Sequence, residues 1–221
     1  MCWSANASLI SFIFGWTFSI ILIIRNKPYD RLWGFFFLFV TFMQFLEFLI
    51  WIDQPVKGQS CDTSPHKGNI NNIASQIASI QNLMQPLVYG ILAIYYIKKD
   101  LLIPIPVAIV ILIVYGLCLI AWVLKNKLYD NKMCTIPKDC NHLQWPWINE
   151  KYSGNAIWIA YFTMLGIVLV ISLKIRDGRI LFAYLLGTMI LSMKIYPFNK
   201  AAGGWWCVAA VGGPLLKIML Q

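Results

Sequence analysis

The chain has 221 residues, of which 59% are hydrophobic, 15% aromatic and only 12% charged, whereas soluble domains run near half apolar and a quarter charged. The apolar residues lie in long runs, which excludes a soluble enzyme and points to a single domain, residues 1–221, built in a lipid bilayer. The formal charge of +9 does not indicate nucleic acid as a partner, because the basic residues sit at the ends of the apolar runs and read as membrane anchors.

A membrane-crossing helix needs roughly 20 mostly apolar residues. Seven stretches meet or approach that length: Ala5 to Ile24, Leu32 to Ile52, Ile73 to Ile97, Leu101 to Leu124, Ala156 to Leu173, Ile180 to Met193 and Gly203 to Gln221. The expected fold is an all-α membrane protein, a seven-transmembrane-helix bundle. Six is the alternative count, since the sixth stretch is short and the seventh carries Lys217.

The first span is followed at once by Arg25, Lys27 and Arg31 and preceded by no basic residue. That bias places the N-terminus outside, or in a lumen, and after seven spans the C-terminus in the cytoplasm. Over the whole chain the basic residues divide nine to nine, but those on the inner side crowd into very short loops. The first run has no short apolar core followed by a small-residue cleavage site, so it reads as a retained anchor. Asn6-Ala7-Ser8 matches a glycosylation acceptor but lies at the mouth of this span, and is read as a chance match.

The second span holds the one acidic residue expected within the bilayer, Glu47. An ionised carboxylate in hydrocarbon is expensive, so it should face the bundle, find a partner or stay protonated. Gln44, Glu47 and Trp51 share a face by three- and four-residue spacing. The third span offers Gln76, Gln81, Asn82 and Gln85 directly before Pro86. At 1.5 Å per residue, Glu47 lies about 8 Å and Gln81 about 12 Å below the outer ends of these spans, close enough to meet. Gln44, Glu47, Gln81, Asn82 and Gln85 are therefore the candidate site for a solute or proton, with Pro86 and Pro214 as helix interruptions. The competing reading is interhelical glue, in which the same amides and a neutral carboxyl only specify packing.

Cys118 alone is expected within a span, the fourth; Cys2, Cys61, Cys134, Cys140 and Cys207 gather at the outer face and are disulfide candidates of open connectivity. Trp3, Trp51, Trp145, Trp147, Trp205 and Trp206 gather at the same boundary, as interfacial indoles do. Lys194 sits at the outer end of the sixth span. Lys217 prompts comparison with a retinal Schiff base, but it stands four residues from the end of the sequence and is expected to snorkel to the inner surface. Gly203-Gly204 and Gly212-Gly213 allow close packing or flexing in the last span.

The two ends of the chain resemble each other. Asn6-Ala7 and Asn155-Ala156 open the first and fifth spans, and Arg25 and Lys174 follow at equal offsets. Asp30-Arg31-Leu32 matches Asp177-Gly178-Arg179-Ile180, and Pro86-Leu87 matches Pro214-Leu215. Around a linker helix these would form a parallel three-plus-one-plus-three repeat, a plan known among carriers whose sites lie at the repeat interface.

No phosphate loop, His-Glu-x-x-His or Gly-x-Ser-x-Gly is present, and His66 and His142 are the only histidines. No catalytic residue, metal site or cofactor is expected, and the chain is read as not an enzyme.

The opening Met1-Cys2-Trp3-Ser4-Ala5-Asn6-Ala7-Ser8, the late acid of the second span and Gln85-Pro86 resemble an uncharacterised multi-pass membrane family of large DNA viruses and bacteria. The resemblance implies a shared membrane fold with outer cysteines. The resemblance also implies a histidine near the position of Gln81 in bacterial members of that family, and its absence here puts histidine-dependent chemistry in doubt.

The expected function is that of a small-solute or ion/proton-coupled transporter or channel, with Glu47 as the protonatable group. The alternatives are a non-catalytic envelope or organelle-membrane scaffold and, third, a receptor or chromophore binder. The expected partners are the bilayer, a small solute or ion, and a second copy of the chain.

Overall fold

A computed structural model describes residues 4–54, 69–126, 134–138, 142–145, 154–195 and 211–220. The helices are α1 (Ala5–Arg25), α2 (Asp30–Ile52), α3 (Asn69–Ile97), α4 (Ile105–Lys125), α5 (Gly154–Val170), α6 (Arg176–Ile195) and α7 (Gly213–Met219). Between α4 and α5 in the sequence stands a small antiparallel hairpin of β1 (Ile136–Lys138) and β2 (His142–Gln144), with Pro137 opposite Leu143.

Four described helices, α1 to α4, are long and apolar enough to cross a membrane, and the chain is a membrane-embedded protein on that ground. The described residues thus give four full-length apolar spans where the sequence suggests seven. Helix α5 is apolar but has 17 residues, α6 begins with the charged Arg176, Asp177 and Arg179, and α7 has seven residues.

Local chemistry moves several boundaries. Helix α1 starts where the Ser4 hydroxyl accepts the Ala7 N–H at 3.2 Å, a side-chain cap. Helix α3 begins a turn before Ile73 because the Asp53 carboxylate accepts the Asn71 N–H at 2.9 Å, satisfying a first-turn donor. Helix α4 begins after Leu101 because Pro104 and Pro106 are compatible only with a helix's cap and first turn. Helix α5 ends before Leu173 in a tight turn, where the Ser172 and Leu173 N–H groups reach back three residues to Leu169 and Val170. The Leu102 N–H donates to the Ile171 carbonyl at 2.8 Å, tying the α3–α4 connection to this turn.

Helix α2 is the central element. Leu32, Trp33, Phe36, Phe37, Met43, Leu46 and Ile50 are all buried, on more than one stripe of its surface. It crosses α1 closely: a Cβ on Gly34 would stand 2.9 Å from the Ser19 carbonyl oxygen and 2.6 Å from Ile23 Cγ1. Small residues permit such approach where lipid offers no hydrophobic drive. Helix α4 is peripheral, with Val110, Ile113, Val114, Leu117 and Ile120 exposed, the pattern of a lipid-facing surface.

The helices alternate in direction, so the bundle has a Ser4 end, with Ile52, Asn69 and Thr135, and an Arg25 end, with Asp30, Ile97, Ser172 and Lys217. Trp145, expected as an interfacial anchor, is instead buried with Leu143 in the core, because the hairpin folds back onto the bundle. Cys2, Cys61, Cys140 and Cys207 lie outside the described residues, as do Trp3, Trp147, Trp205, Trp206 and His66. Cys118 is free and exposed on α4.

Candidate functional site

Helix α3 carries a polar line along its length. Asn71, Ser75, Asn82, Gln85 and Tyr89, with Ala78 interrupting them, follow one another at spacings of four and three, which keeps them on one face. All six are buried. From Asn71 to Tyr89 the line runs about 27 Å, close to the thickness of the hydrocarbon layer.

At the Ser4 end the Asn71 carboxamide pairs with the backbone of Thr135 in both directions. Its Nδ2 donates to the Thr135 carbonyl at 3.0 Å, and its Oδ1 accepts the Thr135 N–H at 3.0 Å. The Ser75 hydroxyl donates to Asn71 Oδ1 at 3.1 Å and lies 2.6 Å from Thr135 Oγ1. Gln54 Nε2 donates to the carbonyls of Ile50 and Thr135 at 2.9 and 3.2 Å. The segment before β1 is thereby stitched to α2 and α3, with its buried peptide satisfied by side chains.

In the middle, Gln44 and Glu47 of α2 are buried, Glu47 with no exposed surface. Asn82 and Gln85 are brought together: Gln85 Nε2 donates to Asn82 Oδ1 at 2.9 Å, and the Tyr161 hydroxyl of α5 donates to Gln85 Oε1 at 2.9 Å. Gln81 does not reach Glu47 as expected. Its amide nitrogen donates to the Phe39 carbonyl, two helical turns from Glu47, or about 12 Å along α2. The discrepancy follows from the earlier start of α3, which sets Gln81 about 18 Å from its first residue instead of 12 Å.

Pro86 does not break α3, which continues through it to Ile97. One residue beyond the Asn82 carbonyl that Pro86 leaves without its ladder donor, the Leu83 carbonyl accepts the Tyr115 hydroxyl of α4 at 2.9 Å, tying α4 to this turn. Pro214 stands in the first turn of α7 after a turn at Gly212, where a missing N–H costs least.

At the Arg25 end the Tyr89 hydroxyl donates to Ser172 Oγ at 2.8 Å. Gly178 packs so close to the Ser172 carbonyl that a Cβ there would run into it, which holds Asp177 beside this junction. Below it lies a buried ion cluster. Arg25 grips the Asp30 carboxylate with two hydrogen bonds, Nε to Oδ2 at 2.7 Å and a terminal guanidinium nitrogen to Oδ1 at 2.8 Å. The Lys27 N–H adds a third at 3.0 Å. Lys217 Nζ bonds the Asp177 carboxylate, lies 3.9 Å from Asp30 Oδ1 and donates to the Pro28 carbonyl at 3.2 Å.

Lys217 therefore does not snorkel. It is 2% exposed, because two carboxylates and a carbonyl compensate its charge inside the fold. The cluster also holds Tyr29 at φ 62°, left-handed backbone that costs a bulky residue about 1–2 kcal/mol. Burial, followed by the negative charges of Asp100 and Asp177, keeps the Tyr29 phenol above its ordinary pKa.

The sequence reading missed Asn71, Ser75, Tyr89, Thr135, Tyr161 and Ser172. The four-and-three spacing of α3 was a usable signal for the first three; the others belong to connections and a neighbouring helix that share no period with α3. Among the described residues no group of three or more His, Cys, Asp or Glu side chains is placed to hold a metal ion. No protein-family model, curated protein or solved structure matches this chain.

Proposed function

We propose that this is a multi-pass membrane transporter or channel that moves a small solute or an ion, with Glu47 as its protonatable group and the polar line of α3 as the neighbouring path. The observation that carries the reading is the complete burial of Glu47 beside a helix whose buried, mostly polar face is nearly as long as the hydrocarbon layer is thick. An intramembrane carboxyl is costly and is retained where it serves a pathway or a proton. The direction proposed is N-terminus outside and C-terminus in the cytoplasm. Support comes from Arg25, Lys27, Arg31, Lys98, Lys99, Lys174, Arg176 and Arg179 flanking the Arg25 end. We place Cys134, beside the Thr135 clasp, among the outer cysteines that form disulfides.

A second reading, a non-catalytic membrane scaffold, is favoured by one specific observation. Asn71 with Thr135, and Asn82 with Gln85 and Tyr161, bond one another in the way that interhelical polar contacts specify packing.

The deciding experiment uses purified protein in proteoliposomes under an imposed pH gradient. Glu47→Gln is expected to abolish pH-dependent flux while leaving the thermal unfolding midpoint within a few degrees. A wild-type protein that inserts and folds yet carries neither protons nor small ions belongs to the scaffold reading.

A further inference from the structure

The ion cluster at the Arg25 end joins parts of the chain that are far apart in sequence. Asp30 belongs to the start of α2, Asp177 to the start of α6, and Lys217 to α7. These are also the two acids that align when the ends of the chain are compared. Their carboxylates meet at one ammonium, so the lysine is a bridge between α1–α2 and α6–α7.

The members are held unequally. Asp30 is fully buried and fixed by Arg25 in two hydrogen bonds and by the Lys27 N–H. Asp177 has 14% of its side chain exposed and bonds Lys217. Removing Asp177 still leaves Lys217 with Asp30 and the Pro28 carbonyl. The Asp177–Lys217 contact is thus the joint that can part without stranding a bare charge. It also lies against the last step of the polar line, since Gly178 abuts Ser172, which accepts the Tyr89 hydroxyl.

We propose that Asp30, Lys217 and Asp177 form an ionic latch that closes the Arg25 end of the α3 polar line, and that parting Lys217 from Asp177 admits water to Tyr89 and Ser172. The role as a gate rests on the transport reading; the opening itself does not. In the closed state the line ends at the Tyr89–Ser172 hydrogen bond, and opening exchanges Lys217 from two carboxylates to one. Such bistable elements, not graded deformation, are the usual basis of gating.

The test is backbone hydrogen exchange of the full chain in lipid nanodiscs, which needs no cargo. Asp177→Asn is expected to speed exchange at least tenfold over residues 171–180, 213–219 and the α3 amides around Tyr89, with α1 and the middle of α2 unchanged. Asp177→Glu, which keeps the charge, is expected to behave as wild type. Unchanged exchange in Asp177→Asn overturns the latch. So does acceleration spread evenly through α1 and α2, which marks a plain loss of stability. If Asp177→Asn opens this end but neither it nor wild type moves any ion in proteoliposomes, the latch stands and the transport reading falls. If wild type carries flux and Asp177→Asn changes neither exchange nor flux, transport stands and the latch falls.

Discussion

The two ends of α3 are closed by different chemistry. At the Ser4 end a neutral carboxamide, Asn71, pairs with the peptide of Thr135, and hydroxyls and Gln54 complete the contact. At the Arg25 end two cations and two carboxylates share a buried cluster reached through Tyr89 and Ser172. The neutral clasp holds because every group has a directional partner, and losing one orphans only dipoles. The charged cluster holds because its charges balance, and losing the ammonium that faces both carboxylates leaves buried charge uncompensated, which is far more costly. One end is held at modest energy by neutral bonds, and the other is strong when complete and unstable when unbalanced.

The largest loss of stability is expected from Lys217→Met. It removes the ammonium that faces Asp30 and Asp177, and breaking a buried pair by deleting one partner costs roughly 3–5 kcal/mol. Thermal unfolding in detergent should show the largest fall of any variant here. Adding Asp177→Asn to it should recover part of the loss, because Arg25 still balances Asp30. A Lys217→Met protein as stable as wild type means that water already solvates the cluster. At the other end, Asn71→Leu leaves the Thr135 N–H without its side-chain acceptor, while the Thr135 carbonyl keeps Gln54 as a donor, a loss of about 1–3 kcal/mol. The same unfolding assay reads it, and the Lys217 loss should exceed it. Equal losses would erase the distinction between the ends.

The parts of this design that were legible in the sequence are those written in local patterns. Apolar runs marked α1 to α4, and Glu47 and the amides Gln81, Asn82 and Gln85 stood out because polar groups within such runs are conspicuous. All of them are buried. What was not legible depends on register between elements. The meeting of Gln81 with Glu47 was argued from helix ends, and the Asp53 cap that lengthens α3 comes from a different segment of chain. Lys217 looked like a snorkelling lysine because its partners, Asp30 and Asp177, lie 187 and 40 residues away in sequence. No window-based periodicity links residues at that distance. Thr135 was invisible for a related reason: it contributes mainly its backbone, which every residue has.

The smallest effect is expected in the middle of the bundle. Tyr161 donates to Gln85 Oε1 at 2.9 Å, a neutral hydrogen bond that joins α5 to α3. If the interior follows the rules of the Ser4 end, Tyr161→Phe, Gln85→Leu and the double variant should give a coupling energy of about 0.6 kcal/mol, typical of polar pairs between membrane helices. The single Gln85→Leu should cost more than Tyr161→Phe, since it also frees Asn82 Oδ1 from its donor. A coupling of several kcal/mol would instead place this pair in the same energetic class as the ion cluster. Net charge, absent from Tyr161 and Gln85 at neutral pH, could not then be what separates the two ends, and the depth of burial that both regions share would have to account for it.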